Sequence, residues 1–212
     1  MLDTRSNPRP APASHARGML VMALTVAAVT GAAAVPHRPL LAYWAFNCFT
    51  TCGDANLQPE SVSTSAASMT SSFEPDAGVN ESGTTLNSIP PYEARAAMTL
   101  RTGSGGINNG RNLTWRVSTA GSMGIVVSFA TRRSAGGFSS NQFQYTLDGT
   151  SYVDFGAPFD PGSQYAVVAY DLRRVRGLND NPNAGFRIVF NGGSTSSDTE
   201  SALIDNLQVV GK

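Results

Sequence analysis

The sequence predicts an all-β fold, a two-sheet antiparallel β-sandwich preceded by an apolar N-terminal segment. Three observations support this. Apolar and polar residues alternate in successive short runs, clusters of Gly, Asn, Asp and Pro separate those runs, and only 14% of residues are charged against 41% hydrophobic. A helical bundle would need more Glu, Lys and Arg on its outer faces, and a disordered chain would hold fewer apolar residues. Period-two alternation between turn clusters is the pattern of a sandwich.

Residues 1–18 carry Arg5, Arg9 and Arg17, and an apolar stretch runs from Met19 to Val35. Small residues Gly31 to Ala34 close that stretch before Pro36. A basic start, an apolar run and a small-residue exit read as a secretory signal peptide over 1–35, cleaved near Ala33 or Ala34. Residues 36–212 then form one β-sandwich domain, secreted or at the cell surface, with no membrane contact after cleavage. Retention as a signal anchor is the alternative, since 17 apolar residues lie at the lower edge of a membrane span. Export puts Cys48 and Cys52 in an oxidising compartment, where a disulfide between them is expected.

The strands follow in order. LLAYWAF (40–46) is the first apolar run, and 50–90 is rich in Ser, Thr, Asn and Pro, with room for an edge strand inside long loops. RNLTWRVS sets Leu113, Trp115 and Val117 against Thr114, Arg116 and Ser118, and GIVVSFA turns Ile125, Val127 and Phe129 inward. FQYTL groups Phe143, Tyr145 and Leu147 opposite Gln144 and Thr146; Asp148-Gly149 then predicts a hairpin into SYVDF. YAVVAYDL, GFRIVF and ALIDNLQVV complete the set. Trp44 and Trp115, inside apolar runs, read as core.

Composition excludes several chemistries. The histidines are His15 and His37 and the one lysine is Lys212, so the domain has no internal imidazole for a Ser-His-Asp or Cys-His site and no buried Schiff-base lysine. Removing 1–35 takes away three arginines and Asp3, leaving 12 basic against 14 acidic side chains. That balance gives no footprint for nucleic acid. Glu74, Asp76 and Glu81 have a spacing unlike a catalytic acidic strand, and Pro75 and Gly78 disfavour a central strand, so Glu74 and Asp76 read as a solvated loop. LNDNPNAG (178–185) has the composition of a calcium loop but lacks the closing glutamate, so it reads as a turn. Candidate aromatic platforms for a sugar ring are Tyr92, Phe138, Tyr152 and Tyr165, at strand ends or in turns. Arg132 and Arg133 form a pair able to grip a carboxylate.

LLAYWAFN, FQYTLDGTSYVDF, YDLRRVRGLNDNPNAGFRIVFNG and ALIDNLQVVG together resemble a family of exported bacterial jelly-roll domains, found in secreted and PEP-CTERM-type surface proteins. The resemblance spans roughly Leu40 to Gly211 and specifies architecture more than function. The proline-glutamate motif, membrane helix and basic tail of the sorted members are missing here. The resemblance implies that the first and last strands pair. It also implies, through similarity to carbohydrate-binding-module jelly rolls, a structural Ca²⁺ near Asn47 and Asp205. Alternation in ALIDNLQVV groups Leu203, Asp205, Leu207 and Val209; if that face is the core, Asp205 needs either such a cation or an arginine such as Arg187. The expected function is a non-catalytic structural, adhesive or matrix role. The alternatives are a module binding extracellular polysaccharide or cell-surface components, and a small glycan-active hydrolase.

Overall fold

The computed structural model describes residues 38–47, 59, 61–62, 67–74 and 79–212. The expected signal peptide, Cys48, Cys52 and Asp76 lie outside these residues. Within the unit His37–Lys212 the described residues are all-β. Its strands are β1 (Leu40–Trp44), β2 (Ser61–Val62), β3 (Ala67–Ser71), β4 (Val79–Ser82), β5 (Ala96–Arg101) and β6 (Asn112–Val117). They continue with β7 (Val126–Arg133), β8 (Ser140–Thr146), β9 (Tyr152–Asp154), β10 (Ala166–Asp171), β11 (Gly185–Asn191) and β12 (Ser201–Val210). The expected two-sheet antiparallel sandwich is what forms.

One sheet has five strands, ordered β3-β6-β11-β8-β9. The other has seven: β10, β7, β12, β1 and β2 lie side by side, with β5 also on β12 and β4 on β5. β12 is the spine of the larger sheet. Along one edge it pairs with β7; along the other it pairs first with β5 through Ser201–Ile204, then with β1 through Leu207–Val210. First and last strands therefore lie together.

The core fills the space between the sheets. Leu113, Trp115 and Val117 enter it from β6, Val127 and Phe129 from β7, and Phe186, Ile188 and Phe190 from β11, as period-two alternation demands. Trp44 is fully buried with them. Phe143 of β8 and Tyr170 of β10 stack at 3.8 Å across the two layers. Leu147 departs from the expected inward group: β8 ends at Thr146, and Leu147 is 42% exposed in the turn. The Asp148-Gly149 connection is also longer than a two-residue hairpin, because Asp148 Oδ1 accepts the Thr150 and Ser151 N–H groups and builds a wider turn.

β12 breaks its own alternation. A bulge between Asp205 and Gln208 and a positive φ of 50° at Asn206 insert extra backbone opposite β7. Ala202 and Ile204 face the core before the bulge, Leu207 and Val209 after it. Asp205 consequently shares the outer face with Leu203, away from the core cluster, and the expected inward grouping of Leu203 and Asp205 with Leu207 and Val209 is corrected. Asp205 and Arg187 also belong to different sheets, so the expected ion pair does not form: the Arg187 guanidinium is engaged by Gln144.

Candidate functional site

The candidate residues read from the sequence do not form one site, although Arg132 meets Tyr165 and Asn47 lines a groove with Tyr92. Tyr92 packs on Tyr43 with ring centroids 5.1 Å apart, against the seven-stranded sheet. Arg132 lies over the Tyr165 ring at 5.2 Å, and the Tyr165 hydroxyl donates to the Ser82 carbonyl at 3.0 Å. Arg133 is spent on structure: it pairs with Asp160 at 2.6 Å and donates to the carbonyls of Ser134 and Ala135. Phe138 is fully buried and packs against Phe73 and Phe190, which rules it out as a sugar platform. Its Gly-rich surroundings read as an exposed turn, but an apolar ring of that size is drawn into the core.

Asn47 and Asp205 are both engaged by the segment that crosses the larger sheet. Asn47 Oδ1 accepts the Ala96 N–H at 3.2 Å and its Nδ2 donates to the Glu93 carbonyl at 2.8 Å. Asp205 Oδ2 accepts the Thr84 N–H at 2.7 Å and Oδ1 the Asn206 N–H at 2.8 Å. Asn206 in turn donates to the carbonyls of Thr84 and Leu86 and accepts the Tyr43 hydroxyl. Each of these oxygens accepts an amide N–H, a use that leaves it a further lone pair. No cluster of three or more His, Cys, Asp or Glu able to hold a metal occurs among the described residues.

Tyr152 does belong to an assembled face, the outer surface of the five-stranded sheet. Strand pairing aligns Thr70, Thr114, Arg187, Gln144 and Asp154 in one row across all five strands. The next row holds Ser68, Arg116, Gly185, Thr146 and Tyr152. Four inter-strand steps of about 4.8 Å make each row roughly 19 Å long. Within the first row the polar groups interlock. Arg187 Nε donates to Gln144 Oε1, and Gln144 Nε2 donates to Asp154 Oδ1 at 2.6 Å. The Arg187 guanidinium also lies 4.0 Å over the Tyr152 ring, a cation–π contact that fixes its plane.

Arg116 completes the face. Its Nη2 donates to the Gly149 carbonyl in the β8–β9 turn. The path crosses Gly185, where an added Cβ would come within 3.0 Å of Thr146 Cγ2. Beside Arg116 opens a groove of about 230 Å³, walled by Ser68 and Ser118 on one side and Pro182 and Asn183 on the other. Sequence reading identified Tyr152 but missed Arg187, Gln144 and Arg116 as a group. Their signal was the polar half of each alternating run, which becomes a site only when the strand order is known.

No protein-family model matches the chain, and no curated protein matches it in sequence. Solved structures resemble it at low identity, each with a TM-score under 0.5. The xylan-binding CBM22-1 domain of Xyn10C from Paenibacillus barcinonensis has a TM-score of 0.47 and 12% identity, covering 82% of this chain and 94% of that one. TmCBM61, solved with β-1,4-galactotriose, has a TM-score of 0.40 and 7% identity, covering 70% of this chain and 90% of that one. The K2 cleaved adhesin domain of Lys-gingipain has a TM-score of 0.42 and 12% identity, covering 68% and 89%. Likeness at this level says nothing about a ligand.

Proposed function

We propose that this protein is a non-catalytic, exported domain that binds a polyhydroxylated polymer, an extracellular glycan, on the outer face of its five-stranded sheet. The observation that carries this reading is the row Thr114–Arg187–Gln144–Asp154, with Tyr152 beside it. Hydroxyl, guanidinium, amide and carboxylate alternate donors and acceptors along one line, the requirement for gripping vicinal hydroxyl groups. Rigid strands fix the spacing, and the hydrogen bonds within the row hold the side chains before any ligand arrives, which lowers the ordering cost of binding. A row of about 19 Å, from four strand spacings, suits an extended oligomer better than a single sugar.

The test is affinity electrophoresis of the full chain through gels containing soluble polysaccharides, with Gln144→Ala, Asp154→Ala and Tyr152→Ala compared with wild type. Retardation by at least one polymer, weakened in these variants while their melting temperatures hold, supports the reading. Free migration through neutral and charged polymers alike would leave a purely structural role as the better account.

A further inference from the structure

We infer that the ligand of this face is an anionic glycan, one bearing uronate carboxylates, and that Arg187 is the residue that selects it. The inference rests on the proposed glycan-binding role and names its chemical class. Arg187 is held on two sides: Nε by Gln144 and the flat face by Tyr152. Among the described residues, its two terminal amino groups make no hydrogen bond or ion pair. A guanidinium immobilised this way presents the paired donors that match a carboxylate bidentately. Against a neutral sugar the same group would place a charge over hydroxyls without compensating it.

The surroundings favour the same charge sign. Arg116 reaches toward the same β8–β9 hairpin and has no carboxylate partner among the described residues either. The loop 172–184, which walls the groove through Pro182 and Asn183, also carries Arg173, Arg174 and Arg176. Arg38 joins that end by donating to the Gly124 carbonyl at 2.6 Å. Acidic groups there are already committed. Asp171 pairs with Arg173, Asp180 accepts the Gly121 N–H at 2.7 Å, and Asp148 accepts the Thr146 hydroxyl and two turn amides. Asp154 is the acid within the row, one strand beyond Gln144, and it accepts the Gln144 amide. Asp148, Asp154 and Asp180 keep their charge while accepting these hydrogen bonds, so anion recognition on this face falls to the paired donors of the Arg187 guanidinium and not to a net field. Among the described residues the face also lacks the line of bare aromatic rings that stacking of neutral sugars uses: Tyr152 is covered by Arg187.

Isothermal titration of the full chain with polygalacturonate and with its fully methyl-esterified form tests this, because esterification removes the charge and leaves the backbone. Alginate and its ester serve as a second pair, with xylan as a neutral polymer. The expected result is that an acidic form binds about tenfold or more tightly than its ester, the scale of one bidentate charge-assisted contact. That preference should shrink with added NaCl and vanish in Arg187→Gln. Arg187→Lys should keep part of it, since a point charge remains without the fork. Equal binding of acid and ester, or binding to xylan alone, overturns the anionic class and leaves the glycan-binding role standing. An acid preference unaltered in Arg187→Gln overturns the assignment to this residue. No binding to any of the polymers overturns both.

Discussion

Removing the carboxylate of Asp205 would strip the Thr84 and Asn206 amides of their acceptor. The residue is 1% exposed, so water cannot substitute freely. Asp205→Ala is expected to lose about 2–4 kcal/mol in urea denaturation, from one or two unsatisfied buried amides. Asp205→Asn should lose less, because one oxygen remains to accept. Gly83 guards the same spot: a Cβ there would meet the Ala96 carbonyl oxygen at 2.5 Å and Asp205 Oδ2 at 2.6 Å. Calcium is tested at the same residue: a melting temperature raised by calcium in the wild type and not in Asp205→Asn is the outcome expected of a bound cation, and an unmoved one leaves the amide hydrogen bonds as the whole account. A contrasting case is Tyr170, whose hydroxyl is buried with no partner among the described residues and whose pKa is raised by burial well above the usual phenol range. Tyr170→Phe should keep the stack on Phe143 and change stability by between zero and about 1 kcal/mol in the favourable direction.

At the scale of strands, legibility depended on whether a strand keeps one period from end to end. β6 and β7 do, and their inward residues were readable in RNLTWRVS and GIVVSFA. β12 does not, because the Asn206 bulge shifts the alternation midway, and nothing in ALIDNLQVV signals a residue with positive φ except the asparagine itself. The segment before β5 was obscure for a different reason: β2 and β4 are two and four residues long, too short to show a period. The candidate face was unreadable because β6, β11 and β8 are adjacent in space but not in sequence. One inter-element tie has a measurable titration. Arg133 at the end of β7 bonds both carboxylate oxygens of Asp160 and holds that carboxyl at about 2. A depressed folded value means that the contribution is complete above the ordinary aspartate range near 4 and is lost as pH falls toward 2. Asp160→Asn should therefore flatten the decline of melting temperature between pH 4 and 2. The flattening should be partial, because Asp171 beside Arg173 is held at about 2 as well. Asp160 is about half exposed, so its pair with Arg133 is worth less than about 1 kcal/mol.

Closure of the whole molecule rests on β1, which lies between β2 and β12 and joins the start of the domain to its end. It sends Leu41, Ala42 and Trp44 into the core, where all three are at most 2% exposed. Taking away Trp44 and Leu41 alone forfeits roughly 3–5 and 2–5 kcal/mol of packing. A domain of this kind has only about 5–15 kcal/mol to lose. Deletion also bares Leu207 and Val209, the residues that β1 pairs and covers, and turns half of β12 into an open edge. By contrast, every residue of the core cluster falls between Leu41 and Val209. Two truncations should then behave oppositely. A chain beginning at Pro36 should keep a cooperative thermal transition and a β-type circular dichroism spectrum. A chain beginning at Ala45 should lose the cooperative transition and bind a hydrophobic dye. If the second chain melted as sharply as the first, β1 would be an ornament on an already closed sandwich, and β5 and β7 alone would have to hold β12 in place.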